Sequence, residues 1–205
     1  MKKVLLLFGG LVIVTASLYS LCYLPSKHNS VFNEQSAEPQ KLRRFATEAR
    51  KFCSNNLFDT SVCFLIDMSL PSGSNRFFVY DLSRDSVVNS GVVAHGSCNT
   101  NFLEDAKFSN DPGCGCSAKG KYKIGAKYTG RFGMAYKLFG LDSSNNNAYK
   151  RNIVLHSYYL VPDNETYPLP ICNSLGCAMV SGNFLKLLSQ KIDARKRPVL
   201  LWIFE

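Results

Sequence analysis

The chain has 205 residues, a formal net charge of +9 and eight cysteines. Its positive charge is dispersed and does not form a basic stripe interleaved with aromatic residues, so the composition argues against nucleic-acid binding and suits an anionic cell envelope. Cys114 and Cys116 are separated by one residue and no second Cys-x-x-Cys pair or nearby histidine completes a zinc site, so we expect no metal and no cofactor.

The N-terminus has the pattern of an export signal. Lys2 and Lys3 precede an apolar run from residue 4 to residue 24 that contains no charged residue. Such a run is a cleaved signal peptide or, because it can span about 30 Å of hydrocarbon, a retained membrane anchor. We therefore predict a signal peptide or anchor at residues 1–24 and a location in the periplasm or cell envelope, with anchoring through residues 4–24 left open.

The rest of the chain divides into a linker and one domain. Residues 25–38 are polar and rich in turn-forming residues, which is typical of a linker. Residues 39–205 are numerous enough to bury a core as one domain, which we expect to be monomeric. Apolar residues recur at helical spacing from Lys41 to Cys53 and predict an amphipathic helix at the start of this domain.

After this helix the sequence changes to short runs of β-branched and aromatic residues separated by turn residues, which predict strands. A long segment from His95 to Ser117 has no periodicity, and ordered loops of this length are usually functional. A second helix is predicted from about Ser181 to Ile192. The sequence therefore predicts a mainly β, α+β fold. The predicted strands are residues 63–68, 76–81, 86–94, 122–128, 132–141, 152–156 and 198–204.

Eight cysteines in an exported chain predict disulfide bonds. If Cys22 stays with the N-terminal segment and Cys177 is kept free to react, six cysteines remain. Six cysteines can form up to three disulfide bonds, and the sequence does not determine which ones pair. In that case Cys177 is the one unpaired thiol of the exported domain. The remaining cysteines are Cys53, Cys63, Cys98, Cys114, Cys116 and Cys172.

Cys177 and His156 are the candidate reactive pair. A histidine that takes the thiol proton and a thiolate that attacks a carbonyl carbon are the minimum equipment for acyl transfer. Gly176 directly precedes the thiol, and a glycine here allows backbone N–H groups to turn toward a developing oxyanion. By themselves these residue types are weak evidence, since Cys172 offers Cys177 a nearby disulfide partner.

The order of the motifs makes the pair more specific. His156-Ser157 at a strand end, a long loop and then Ser174-Leu175-Gly176-Cys177 resemble the signature of the L,D-transpeptidase catalytic domain family, which is YkuD-like. The resemblance extends from about Leu65 to Phe204 and includes several further motifs in the same order. It implies a mixed β-sandwich or barrel-like catalytic domain with an N-terminal helix and a helix after the catalytic cysteine.

The resemblance also implies a role for each residue of the signature. Cys177 is expected to attack the carbonyl of a peptidoglycan stem peptide and form a thioester, with His156 as the base. The backbone carbonyl of Ser157 is expected to receive the imidazole N–H. The backbone N–H groups of Gly176 and Cys177 are expected to stabilise the oxyanion, and Ser174 is expected to shape the turn.

Two positions depart from the wider family. Leu175 stands where a histidine is commoner, which agrees with a narrower branch of murein L,D-transpeptidases. No arginine follows Cys177 closely, so we expect Arg151, or a lysine between residues 119 and 127, to supply the cation that binds substrate.

Two further residues are substrate-binding candidates. His95, followed by glycine at a strand end, either contacts substrate or is a hydrogen-bonded loop histidine. Tyr122 either packs in the core or lines the cleft. Neither alternative is decided by the sequence.

Three functions remain open at this point. The first is an L,D-transpeptidase, in which an amine resolves the thioester. The second is an L,D-carboxypeptidase or endopeptidase, in which water resolves it. The third is an inactive wall-binding module in which a disulfide joins Cys172 to Cys177.

Overall fold

The computed structural model describes residues 31–205, with side chains from Gln40 onward. Residues Gln40–Glu205 form one compact unit. The signal peptide or anchor predicted at residues 1–24 lies outside the described part of the chain. Among the residues that the structure covers, no helix combines the length and the apolar character needed to cross a membrane.

Two helices and eight strands are formed between residues 31 and 205. The helices are α1 (Val31–Asn55) and α2 (Gly182–Asp193). The strands are β1 (Val62–Asp67), β2 (Phe77–Asp81), β3 (Ser86–Gly91), β4 (Gly120–Gly130), β5 (Gly133–Gly140), β6 (Val154–Ser157), β7 (Ala178–Val180) and β8 (Leu200–Phe204).

All of these strands join one mixed sheet in the order β3-β2-β1-β8-β4-β5-β6-β7. The β1–β8 and β6–β7 pairs are parallel, and the other neighbouring strands are antiparallel. This arrangement confirms the predicted mainly β, α+β fold. The first three strands form the predicted antiparallel meander, and β1 is then joined by the C-terminal strand β8.

The sheet carries a hydrophobic core on each face. Phe64 of β1 belongs to the cluster that includes Leu185 and Leu188 of α2, while Leu65 belongs to the cluster that includes Ala46 of α1. Successive side chains of a strand point to opposite faces, so both faces of β1 are covered. This double coverage explains why β1 is an unbroken apolar run instead of an alternating one.

Two elements differ from the sequence-based expectation. Helix α1 begins at Val31, inside the segment 25–38 that was predicted as a linker. Glu34 and Glu38 lie in this segment and favour helix, whereas the polar composition alone indicated a linker. Strand β7 was not predicted, because three residues are too few to show a period.

Candidate active site

The parallel pairing of β6 and β7 brings the two reactive residues together. Leu155 pairs with Ala178, and His156 pairs with Met179. Leu155 and Ala178 point into the core under α2. Because side chains alternate along a strand, His156 and Cys177 both face away from that core. The two residues, which are far apart in sequence, thus lie on the same face of the sheet where β6 and β7 are adjacent.

That face borders a cavity of about 570 Å³. Cys177, His156, Ser174 and Arg151 are among the residues that form its wall. The other lining residues are Ser97, Thr100, Asn101, Phe102, Phe132, Asn152, Tyr158, Cys172, Asn173, Leu175 and Met179. The structure therefore places the predicted nucleophile and base in the wall of the same cavity.

His156 is oriented by its neighbour in the chain. Its Nδ1 lies 2.9 Å from the carbonyl oxygen of Ser157. A carbonyl oxygen only accepts, so Nδ1 carries the proton and Nε2 of the neutral ring keeps its lone pair for a base role. Burial lowers the pKa of His156, and the hydrogen bond to Ser157 partly opposes this shift. The ring is therefore neutral near pH 7. Ser157 contributes through its backbone, as the resemblance implied.

Cys177 is partly exposed, and its thiol is unpaired. Its Sγ contacts the carbonyl oxygen of Asn152 at 3.8 Å. Burial raises the pKa of the thiol, while a backbone hydrogen bond from Val154 and the positive charges of Arg151 and Lys137 lower it. The resting pair is thus a neutral thiol with a neutral imidazole, and such a thiol becomes nucleophilic only when it loses its proton.

Ser174 closes the turn that carries Cys177. Its Oγ accepts a hydrogen bond from the N–H of Gly176 at 3.1 Å and donates to the carbonyl of Cys177 at 2.8 Å. A serine hydroxyl that binds the backbone two residues later is a common turn device. The turn-shaping role of Ser174 is thus visible in the geometry. The N–H of Gly176, which the resemblance implied as an oxyanion donor, is bonded to Ser174 Oγ in this structure.

A disulfide joins Cys98 to Cys116 and fixes the long loop between β3 and β4. The prediction that Cys177 would be the one unpaired thiol of the domain was wrong. The other unpaired thiols in the part of the chain that the structure describes are Cys53, Cys63, Cys114 and Cys172. Cys53 and Cys63 are buried in the core under α1, where they serve as small apolar side chains.

Arg151 holds this loop in place. Its guanidinium donates to the carbonyl oxygens of Ser109, at 2.8 Å, and Cys116, and also contacts Sγ of Cys114. These groups occupy both terminal nitrogens of the guanidinium. Arg151 lines the cavity and adds positive charge beside Cys177, but its hydrogen bonds go to the protein and not to the cavity.

His95 lies outside the cavity and is fully buried. Nη2 of Arg76 donates to its Nδ1 at 2.8 Å, so Nε2 carries the proton and donates to the carbonyl of Leu103 at 3.1 Å. Burial and the charge of Arg76 lower the pKa of His95 to about 4. The geometry matches the hydrogen-bonded loop histidine, and His95 is not among the residues that line the cavity.

Tyr122 is also fully buried, and its hydroxyl donates to the carbonyl of Ala118 at 2.6 Å. It belongs to the core under α2 and does not line the cavity. Of the two alternatives that the sequence left open, the structure places Tyr122 in the core.

Sequence reasoning missed two residues that shape the site. Arg76 is buried and donates a hydrogen bond to His95. Phe132 was assigned to a strand, but it lies in the two-residue turn between β4 and β5 and stacks on His156. Gly130 and Gly133 flank this turn, and a large apolar residue in a glycine-flanked turn was the signal that could have identified it. Between residues 31 and 205 no cluster of histidine, cysteine and acidic residues is arranged to hold a metal ion.

A family model described as the L,D-transpeptidase catalytic domain matches residues 33–202. Similar solved structures include an L,D-transpeptidase from Mycobacterium smegmatis, at 13% identity and a TM-score of 0.42, which covers 71% of this chain and 59% of that one. The helical cell shape determining protein Pgp2 from Campylobacter jejuni has 16% identity and a TM-score of 0.41, with coverage of 71% and 48%. An L,D-transpeptidase from Xylanimonas cellulosilytica has 11% identity and a TM-score of 0.39, with coverage of 70% and 60%.

The chain thus spans 60% or less of the length of each of these three structures. A search of curated proteins gave no match.

Proposed function

Because the chain belongs to the L,D-transpeptidase catalytic domain family, we propose that it transfers acyl groups of peptidoglycan stem peptides through a thioester on Cys177. The observation that carries the proposal is the shared cavity of Cys177 and His156, in which Ser157 leaves Nε2 of the imidazole free to act as a base. A free thiol and a neutral imidazole in one cleft are the chemical requirement for cysteine acyl transfer.

The first half of the reaction forms the thioester. Nε2 of His156 takes the thiol proton, and the sulfur of Cys177 attacks the carbonyl carbon of the donor stem peptide. The C–N bond of the scissile amide then breaks, and the imidazolium returns its proton to the leaving amine. Arg151 and Lys137 assist this step, since their charges favour the thiolate.

The second half resolves the thioester. An amine of a second stem peptide attacks the thioester carbonyl and His156 accepts the proton of that amine. The C–S bond then breaks, and the imidazolium returns the proton to the sulfur, which releases Cys177 as a thiol. If water attacks instead, the same steps give a free carboxylic acid, and the protein is an L,D-carboxypeptidase or endopeptidase. The choice depends on how well the cavity excludes water when an acceptor is bound.

We place this activity in the periplasm or cell envelope, in a monomer exported by its N-terminal segment. The apolar run at residues 4–24 and the positive net charge support this placement. The inactive alternative required a disulfide between Cys172 and Cys177, and in the structure both are free thiols.

Intact-protein mass spectrometry after treatment with a carbapenem tests the nucleophile. We expect one covalent adduct on the full-length protein in detergent and none on Cys177→Ala. Cys172→Ala is the matched control, because Cys172 lines the same cavity, and it should keep the adduct. An adduct that survives in Cys177→Ala would contradict the assignment.

Purified muropeptides then separate transfer from hydrolysis. We expect a crosslinked dimer whose formation needs Cys177 and rises with the concentration of the amine acceptor. Trimmed monomers without any dimer would identify the hydrolytic enzyme. Substrate left unchanged by a protein that does form the carbapenem adduct would contradict the assignment of stem peptides.

A further inference from the structure

Phe132, in the β4–β5 turn, contacts the candidate base. Its ring stacks on the imidazole of His156 with a centroid distance of 5.0 Å and an interplanar angle of 19°. Ala135, near the start of β5, pairs with His156, so the turn that precedes it reaches over the imidazole. The aromatic side chain therefore covers one face of the candidate base.

Neighbouring residues hold the Phe132 ring in place. Tyr158 meets it edge to face at 5.7 Å, and the Arg131 guanidinium lies 5.6 Å from its centroid. Aromatic pairs with these geometries are attractive beyond their buried area. Yet Phe132 remains 49% exposed, so a large apolar side chain is kept at the surface over a polar group. Burial of a core does not account for that position.

Phe132 also stands between two depressions of the surface. It lines the cavity of Cys177 and His156, and it lines a second cavity formed with Ser157, Tyr158 and Tyr159. His156 lines the first cavity and Ser157 lines the second, and the hydrogen bond from the imidazole to the Ser157 carbonyl joins them. Loss of the ring should therefore expose the imidazole to water on the side of the second cavity.

We propose that Phe132 is a positioning residue that fixes the His156 ring and shields it, and the thioester beside it, from water. This inference rests on the proposed function. The stack restricts rotation of the imidazole about its side-chain bonds, while the carbonyl of Ser157 fixes Nδ1, so Nε2 is aimed by two contacts instead of one. The shield favours resolution of the thioester by an amine over resolution by water.

Two consequences separate this role from simple structural support. Burial holds the pKa of His156 below its usual range, so loss of the cover in Phe132→Ala should move the acidic limb of the pH profile for Cys177 acylation toward higher pH. Loss of the stack should also slow acylation at neutral pH by up to about tenfold, the factor that corresponds to the upper end of an aromatic pair energy.

The test compares full-length variants in the carbapenem acylation assay and in the muropeptide assay. Phe132→Tyr preserves the stack and should restore the wild-type pH profile, whereas Phe132→Ala should show the shifted limb and a larger share of hydrolysed product. Tyr149→Ala is the matched control. Tyr149 has an exposed ring that stacks on Phe139 with a centroid distance of 5.0 Å and does not line the cavity. Its loss should leave the pH profile of acylation and the product ratio unchanged.

Two outcomes would overturn the inference. One is a pH profile and a product ratio in Phe132→Ala that equal those of the wild type. The other is the same shift in Tyr149→Ala. If Phe132→Ala fails to fold, Phe132→Leu replaces it, because leucine removes the stacked ring and keeps only part of the cover over His156; its acidic limb should move in the same direction by a smaller amount. Absence of acylation in the wild type itself would instead overturn the proposed function.

Discussion

The carbonyl oxygen of Cys116 lies against the α-carbon of Gly176, so that a Cβ atom added to Gly176 would meet this oxygen at 2.6 Å. Cys116 is bonded to Cys98, and Arg151 donates to the same carbonyl oxygen. The loop closed by the disulfide therefore rests directly on the turn that presents Cys177. Cys177 is therefore positioned by two segments that are distant in sequence.

Gly176→Ala should disturb this contact. Gly176 has φ +110°, which L side chains rarely adopt, and the methyl group would also collide with the Cys116 carbonyl. We expect destabilisation of about 2 kcal/mol, typical of overpacking, and at least a tenfold loss of Cys177 acylation, since misplacement of a reacting group is costly. Thermal unfolding and carbapenem adduct formation measure the two effects.

Gly113→Ala is the control for backbone strain. Gly113 has φ +78°, but a Cβ atom there meets nothing within 4 Å. This variant should lose some stability and keep its acylation rate. Equal losses of acylation in the two variants would mean that the contact between Gly176 and Cys116 does not position the nucleophile.

Reduction of the disulfide between Cys98 and Cys116 should lower both stability and reactivity. The two residues are 18 apart in sequence, and closing a loop of this size contributes about 3 kcal/mol in the chain-entropy account. Melting with and without a non-thiol reductant, followed by carbapenem adduct formation, measures the effect. The double variant Cys98→Ser/Cys116→Ser should match the reduced protein and no longer respond to reductant. An unchanged melting temperature of the wild type would contradict this prediction.

The features that sequence could predict are those with a local cause. The unbroken apolar run of β1, the helical period after Lys41 and the order of His156 and Cys177 each lie within one short segment or motif. The pairing of Cys98 with Cys116 depends on where a long loop returns in space, so cysteine parity alone left it open. Parity also overestimated the number of bridges, because it counted the core thiols Cys53 and Cys63 as partners.

His95 and Arg151 show the same limit at the site. Histidine and arginine both fit a substrate-binding role, and no local sequence signal shows which protein groups form hydrogen bonds with these two side chains. Those partners are Arg76 and the carbonyl of Leu103 for His95, and the loop carbonyls for Arg151. Arg151, which was expected to bind substrate, thus holds a loop in place, and this role is set by tertiary contacts.

Removal of the Lys137 charge should raise the pKa of Cys177. Burial raises the pKa of this thiol, and the charges of Arg151 and Lys137 oppose the shift. In Lys137→Met we therefore expect iodoacetamide alkylation of Cys177, followed by peptide mass mapping, to require higher pH, with a few-fold lower rate near neutral pH at low salt. The difference should shrink at high ionic strength because salt screens exposed charges.

Lys150→Met is the matched control for this measurement. Lys150 is exposed and adjacent to Arg151, but it is not among the charges that shift Cys177. Its alkylation profile should equal that of the wild type. A shift as large as that of Lys137→Met would show that net charge, and not the position of Lys137, sets the reactivity of the thiol.

His95 should make the fold sensitive to mild acid. Its pKa is about 4 in the folded chain against an ordinary value of 6.5. As the pH falls below 6.5, His95 becomes protonated in the unfolded chain, whereas in the folded chain it stays neutral until about pH 4. The free energy of unfolding should therefore decrease through this window by up to about 3 kcal/mol from His95.

Urea denaturation of the wild type and His95→Gln at several pH values between 4 and 7 tests this linkage. Glutamine can still accept from Arg76 and donate to the Leu103 carbonyl, but it does not titrate. The variant should therefore lose stability less steeply as the pH falls, whatever its stability at pH 7. A residual slope is expected from His156, whose pKa is also lowered by burial. Identical slopes in the two proteins would mean that His95 takes up its proton in the folded state, which would require the Arg76 guanidinium to move away from Nδ1.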